Sequence, residues 1–132
     1  YAAVEPATGE SFCLEMSHMD GDCFEAFLRE MRSAYPDDRI VLVLDRAGSH
    51  RSGDVDWPEG IEPLFLPPRS PELNPVERWF EEMRRDLSNR VFESIEAIQE
   101  ALEGALRPYW EDRALLQRLT GYGCWMEGIA TL

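Results

Sequence analysis

A chain of 132 residues, 44% of them hydrophobic, is long enough to bury one core, so a single domain over residues 1–132 is expected. Its net charge of −13 comes from 26 acids against 13 bases, all of them Arg, which disfavours binding of nucleic acid through bulk electrostatics. No apolar run is long enough to span a membrane and no secretory leader is visible, so a cytoplasmic protein with Cys13, Cys23 and Cys124 as reduced thiols is expected.

Tyr1 to Pro6 and Ser11 to Met16 flank Ala7-Thr-Gly-Glu10 and read as a β-hairpin, with Gly9 supplying a positive φ. Asp20 or Asp22 can cap a helix reaching Tyr35, whose buried stripe is Phe24, Phe27, Leu28 and Met31. Pro36-Asp-Asp-Arg39 breaks it. Ile40 to Leu44 is a continuous β-branched and aliphatic run, the pattern of a strand buried on both faces, and Asp45 follows directly. Strands of open α/β sheets deliver functional residues at such ends, although an Asp there is as often a loop cap. Arg46 to Gly60 is polar and rich in turn residues, and reads as a loop.

A short strand, Ile61 to Leu66, is stopped by Pro67 and Pro68. Asn74 as N-cap, Pro75 at the first helical position and Glu77 at the third open a helix running to about Arg90. Val76, Trp79, Phe80, Met83 and Leu87 form its core stripe, with Glu77 at the stripe's edge. By itself, a Glu in this place is a reciprocal cap on the Asn74 backbone. As a metal ligand it requires a second carboxylate, for which Asp45 is the candidate. Ser94 caps a further helix ending at Arg107-Pro108, with Ile95, Ile98, Ala101, Leu102, Ala105 and Leu106 inward. Tyr109 to Leu119 holds one more short helix, and Gly121 to Met126 reads as an aromatic tail. Trp79, Trp110 and Trp125 belong to core or interface rather than to a base-stacking platform.

The order β-β-α-β-β-α-α-α predicts an α/β or α+β domain with a mixed sheet covered by helices. Charge is uneven along it. Residues 1–44 carry nine acids and three Arg (−6), 45–90 ten acids and seven Arg (−3), and 91–132 seven acids and three Arg (−4), so bases concentrate around Asp45 and Glu77.

The segments VLVLDRAGSHRS and IEPLFLPPRSPELNPVERWFEEMRR resemble the DDE-type catalytic domain of mariner-like and bacterial insertion-sequence transposases. Asp45, Ala47 and His50 match the family's D-x-A-x-x-H pattern. Ser70, Pro71, Leu73, Asn74, Pro75 and Glu77 match its S-P-x-L-N-P-x-E pattern. The opening YAAVEPATGESF is similar to its early hairpin, so the resemblance covers roughly residues 1 to 125.

The resemblance implies a ribonuclease-H-like fold, Mg²⁺ or Mn²⁺ as cofactor, and cleavage and strand transfer of transposon-end DNA. Asp45 and Glu77 would be catalytic metal ligands, and His50, Arg51, Arg69 and Arg78 would contact nucleic acid. The family's first Asp lies on a strand upstream of the hairpin, so the expectation is an N-terminally incomplete domain, inactive or weak alone. A strand missing beside Ile40 to Leu44 would expose peptide groups, and a homodimer is expected to cover them. Two other readings stay open: a non-catalytic remnant used for assembly or binding, and an unrelated enzyme using Asp45 and His50 as an acid–base pair.

Overall fold

The computed structural model describes residues 1–46 and 55–131. Two strands, β1 (Ala2–Glu5) and β2 (Glu10–Cys13), form the expected hairpin. Its turn closes through the Gly9 amide, which donates to Glu5 O at 2.8 Å. Gly9 has φ +76°, and a Cβ there would lie 2.0 Å from the Arg113 carbonyl oxygen, so both conformation and space demand glycine.

The chain divides into two compact units: Tyr1–Ala2 with Phe12–Asn74, and Ala3–Ser11 with Pro75–Leu132. In the first, α1 (Gly21–Ala34) starts at Asp20, whose carboxylate accepts from the Cys23 amide at 2.9 Å. That bond holds the Asp20 carboxyl below the usual aspartate range. Phe24, Phe27, Leu28 and Met31 are buried as the spacing predicts. Tyr1 stacks on Phe27 at a ring-centroid distance of 5.5 Å, and the Phe12 ring meets it tilted at 5.4 Å.

β3 (Ile40–Leu44) and β4 (Ile61–Phe65) pair in parallel, Ile40 opposite Ile61 and Leu44 opposite Phe65. The ladder runs from the Ile40 amide on Gly60 O (2.8 Å) to the Leu66 amide on Leu44 O (2.9 Å). Arg39 Nη2 donates to both Glu62 carboxylate oxygens at 3.0 and 2.9 Å, an exposed link across the start of the pair.

Two expectations fail here. Among the described residues there are two separate two-stranded sheets rather than one mixed sheet. Nor is β3 buried on both faces: Leu44 is in the core, but Val41 is exposed, as is β4 from Glu62 onward. An apolar run reports what a strand can bury, and a sheet of two strands offers too little cover.

Successive residues of a parallel strand point their peptide groups to alternate sides. Ile40 and Leu44 bond toward β4, so Val41 and Val43 face the other edge of β3. Leu66 bonds toward β3, so Pro63, three residues before it, faces away from β3, at the outer edge of β4. A proline there has no amide to give to a further strand.

In the second unit α2 (Pro75–Leu87) buries Pro75, Val76, Trp79 and Met83. It ends three residues before Arg90, and Asn89 takes the left-handed φ of +59° common just after helices. α3 (Ile95–Glu111) is capped by Ser94, whose hydroxyl accepts from the Ala97 amide at 3.1 Å. It runs through Pro108 instead of stopping there. Of its six predicted inward residues only Leu106 is buried, and Ile95 and Ile98 are exposed. α4 (Arg113–Thr120) buries Leu116 and Thr120. α2, α3 and α4 pack against one another around Trp79, which is fully buried and meets the Tyr109 ring edge-on at 5.7 Å. The expected aromatic tail is a helix, α5 (Gly123–Ala130). No helix among the described residues is long and apolar enough to cross a membrane.

Candidate functional site

Asp45 sits half-buried at the carboxyl end of β3, and the residues on either side of it bond to Leu66, just past the end of β4. On one side the Leu44 carbonyl accepts from the Leu66 amide; on the other the Arg46 Nε donates to the Leu66 carbonyl at 3.2 Å. One backbone bond before Asp45 and one side-chain bond after it thus converge on Leu66, the residue before Pro67. Arg46 was not among the residues singled out by sequence; its position beside Asp45 was the available signal.

The segment after Leu66 is a run of short constrained turns. Pro67 and Pro68 cannot continue the ladder, and Arg69 takes a left-handed φ of +59°. The Ser70 hydroxyl donates to Pro68 O at 3.4 Å, and Pro71–Leu73 form one 3₁₀ turn. Asn74 has φ −94° and ψ 111°, the extended backbone of a helix-initiating residue, and Pro75 opens α2. The boundary between the two units falls between Asn74 and Pro75, so Asp45 belongs to one unit and Glu77 to the other.

Glu77 lies in the first turn of α2, half-buried, with its side chain 26% exposed. The expected reciprocal cap is replaced. The Asn74 amide donates to Pro71 O at 2.9 Å, and the Glu77 carboxylate pairs with Arg84 Nη2 at 3.9 Å. Positions 77 and 84 lie two turns apart on one face, a spacing readable from 3.6 residues per turn. Arg78 places its guanidinium 3.8 Å over the Tyr122 ring, a cation–π contact, and Arg69 is exposed on its turn. His50 and Arg51, the other two expected nucleic-acid contacts, lie outside the described residues.

The donor chemistry is that of hard oxygen ligands, suited to Mg²⁺ or Mn²⁺ rather than to softer metals. In number the acids are few: no group of three His, Cys, Asp or Glu side chains with metal-holding geometry occurs among the described residues.

Comparison with known proteins bears on the same stretch. Residues 1–99 match the family described as DDE superfamily endonuclease. The "Uncharacterized protein y4pE/y4sA" of Sinorhizobium fredii (strain NBRC 101917 / NGR234) is 40% identical over 100 residues, 74% of this chain and 74% of that protein. No solved structure matches. The matched stretch contains the Asp45 strand end and the whole SPELNPVE segment, and on that match this chain belongs to the DDE superfamily endonucleases.

Proposed function

We propose that the chain is the catalytic-domain part of an insertion-sequence-type transposase with a ribonuclease-H-like fold, acting on transposon-end DNA in the cytoplasm. The observation that carries this is the way Asp45 is held. It ends a strand whose neighbour leads, through Leu66 and a chain of turns, into the helix whose first turn bears Glu77. Asp45 and Glu77 are the residues that would hold Mg²⁺ or Mn²⁺. Once bound, such ions activate an attacking water or 3′-hydroxyl and stabilise the leaving oxygen.

The chain's own side chains do the remaining work. Arg46 ties the segment after Asp45 to Leu66 through its side chain, and Arg84 balances the charge of Glu77 until a cation replaces it. His50, Arg51, Arg69 and Arg78 contact phosphates. Asp45 and Glu77 by themselves are a sparse ligand set for in-line attack, so activity resting on these two carboxylates alone is weak. Two copies associate through the edge of β3 that pairs with no strand among the described residues, where Val41 and Val43 present peptide groups.

The test combines Mn²⁺ binding, read by electron paramagnetic resonance, with nicking of supercoiled plasmid. Weak Mn²⁺ binding that falls in both Asp45→Asn and Glu77→Gln, with nicking near background, is expected. Robust nicking abolished by Asp45→Asn would show that the two carboxylates suffice or have help from elsewhere in the chain. The second reading is a non-catalytic remnant, favoured by the net charge of −13. It replaces the first if neither substitution alters Mn²⁺ binding.

A further inference from the structure

The apolar stripe of α3 is covered at one end and bare at the other. At 100° per residue Ile95, Ile98, Leu102 and Leu106 share one face. Leu106 is 8% exposed and anchors the stripe in the core, whereas Ile98 is 45%, Ile95 72% and Val91, just before the helix, 97% exposed. Large aliphatic side chains at regular helical spacing, running continuously out of a core, form a recognition face rather than scattered surface residues.

The two flanks of this stripe differ. On one side lie Glu96, Glu100 and Glu103, with Glu93 just before the helix. On the other lie Ala97, Ala101 and Ala105, small enough to let another helix approach closely. The sole base of α3, Arg107, lies beyond Glu103 toward the covered end.

We propose that this face docks an amphipathic helix of another protein, with an apolar stripe of its own and an Arg- or Lys-bearing flank. Charge selects that occupant. In a two-fold pairing of α3 with a second copy of itself, the Glu96–Glu100–Glu103 row would face its own image if the helices ran antiparallel and the uncharged Ala97–Ala101–Ala105 row if they ran parallel, so neither pairing gains attraction from it. A cationic flank turns the same row into attraction, while nucleic acid and anionic lipid are both repelled by it. The inference does not depend on the roles of Asp45 or Glu77, and its test leaves them untouched.

Fluorescence anisotropy of the full chain with a labelled synthetic helix is the measurement. The probe has about 18 residues, with Leu at helical spacing and Arg on the flanks. A scrambled peptide of the same composition and an amphipathic peptide with Glu in place of Arg are the comparisons. In about 0.15 M salt the Arg-bearing helix should bind at least about tenfold more tightly than either. Ile95→Asp and Ile98→Asp, at exposed positions and checked by circular dichroism, should each weaken binding about tenfold. Changing Glu96, Glu100 and Glu103 together to Gln should weaken it several-fold and flatten its salt dependence. Equal binding of the scrambled or Glu-bearing peptide overturns the proposal, as does indifference to Ile95→Asp and Ile98→Asp. So does a dimer of the unmodified chain that Ile98→Asp dissociates, since a second copy would then own the face.

Discussion

Asp45 and Glu77 are supported differently, and substitutions should show it. The backbone before Asp45 is held by the Leu66 amide, and the Arg46 side chain bonds the Leu66 carbonyl, so Asp45→Asn should remove a ligand without disturbing the strand end. Among the described residues Glu77 is engaged by an exposed arginine 3.9 Å away, a pair of the kind worth about 0.2–1 kcal/mol. Arg84→Gln should therefore tighten Mn²⁺ binding at Glu77 by up to about fivefold, read by the same resonance titration. Trp79 gives a test of packing. It is fully buried, and its Nε1 has no hydrogen-bond partner among the described residues. Trp79→Ala should cost about 3–5 kcal/mol in a denaturant titration, and Trp79→Phe clearly less, because it also removes the unpaired donor. Asp20 supplies a pH dependence. Its carboxyl is held low by the Cys23 amide, so its contribution is complete above the ordinary aspartate range and is lost as pH falls toward the folded value. Asp20→Asn keeps an acceptor at the cap and should flatten the acid limb of a stability–pH curve. The burial of Trp79 and the cap at Asp20 were legible from spacing and residue type. The pairing of Glu77 with Arg84 was not, because a capping box and an ion pair two turns along compete for the same carboxylate, and sequence does not say which wins.

Elements were legible where one strong signal governed them. α1, β3, β4 and the start of α2 lie where apolar periodicity, caps and prolines put them. The end of α3 was misread because Pro108 has the local signature of a stop. A proline in a helix deprives the residue four before it of a bond and crowds its carbonyl. That residue is Gly104, whose surroundings are open, and Leu106 and Tyr109 on either side of the proline pack toward the core. Packing prevails over a local penalty, and Pro108→Ala should raise stability by about 1–3 kcal/mol, visible as a higher Tm. α5 was missed because Gly123 and Gly128 dilute its helical signal. The hairpin turn offers the opposite case. Gly9→Ala puts a methyl group against the Arg113 carbonyl at a left-handed φ, and should cost about 1–3 kcal/mol or more.

For the molecule as a whole, fold class was readable and sheet size was not, since the number of neighbours a strand finds is a property of the whole chain and its partners. Family membership was legible because the SPELNPVE segment combines turn and helix-start chemistry that few unrelated chains need together. The expected association through β3 is checked by sedimentation at low micromolar concentration, where a dimer should form and persist at high salt. Val43→Pro, which removes an outward amide from β3, should shift it to monomer while leaving the bonds toward β4 intact. A monomer at all concentrations would end the dimer proposal. Pro63 gives that association a limit. Because β4 carries a proline on its outward side, a β3-to-β3 pairing makes a four-stranded sheet with a blocked strand at each border. Such a sheet would offer a third chain a poorer template along its β4 borders, so a pairing through β3 would tend to close on two copies there rather than propagate.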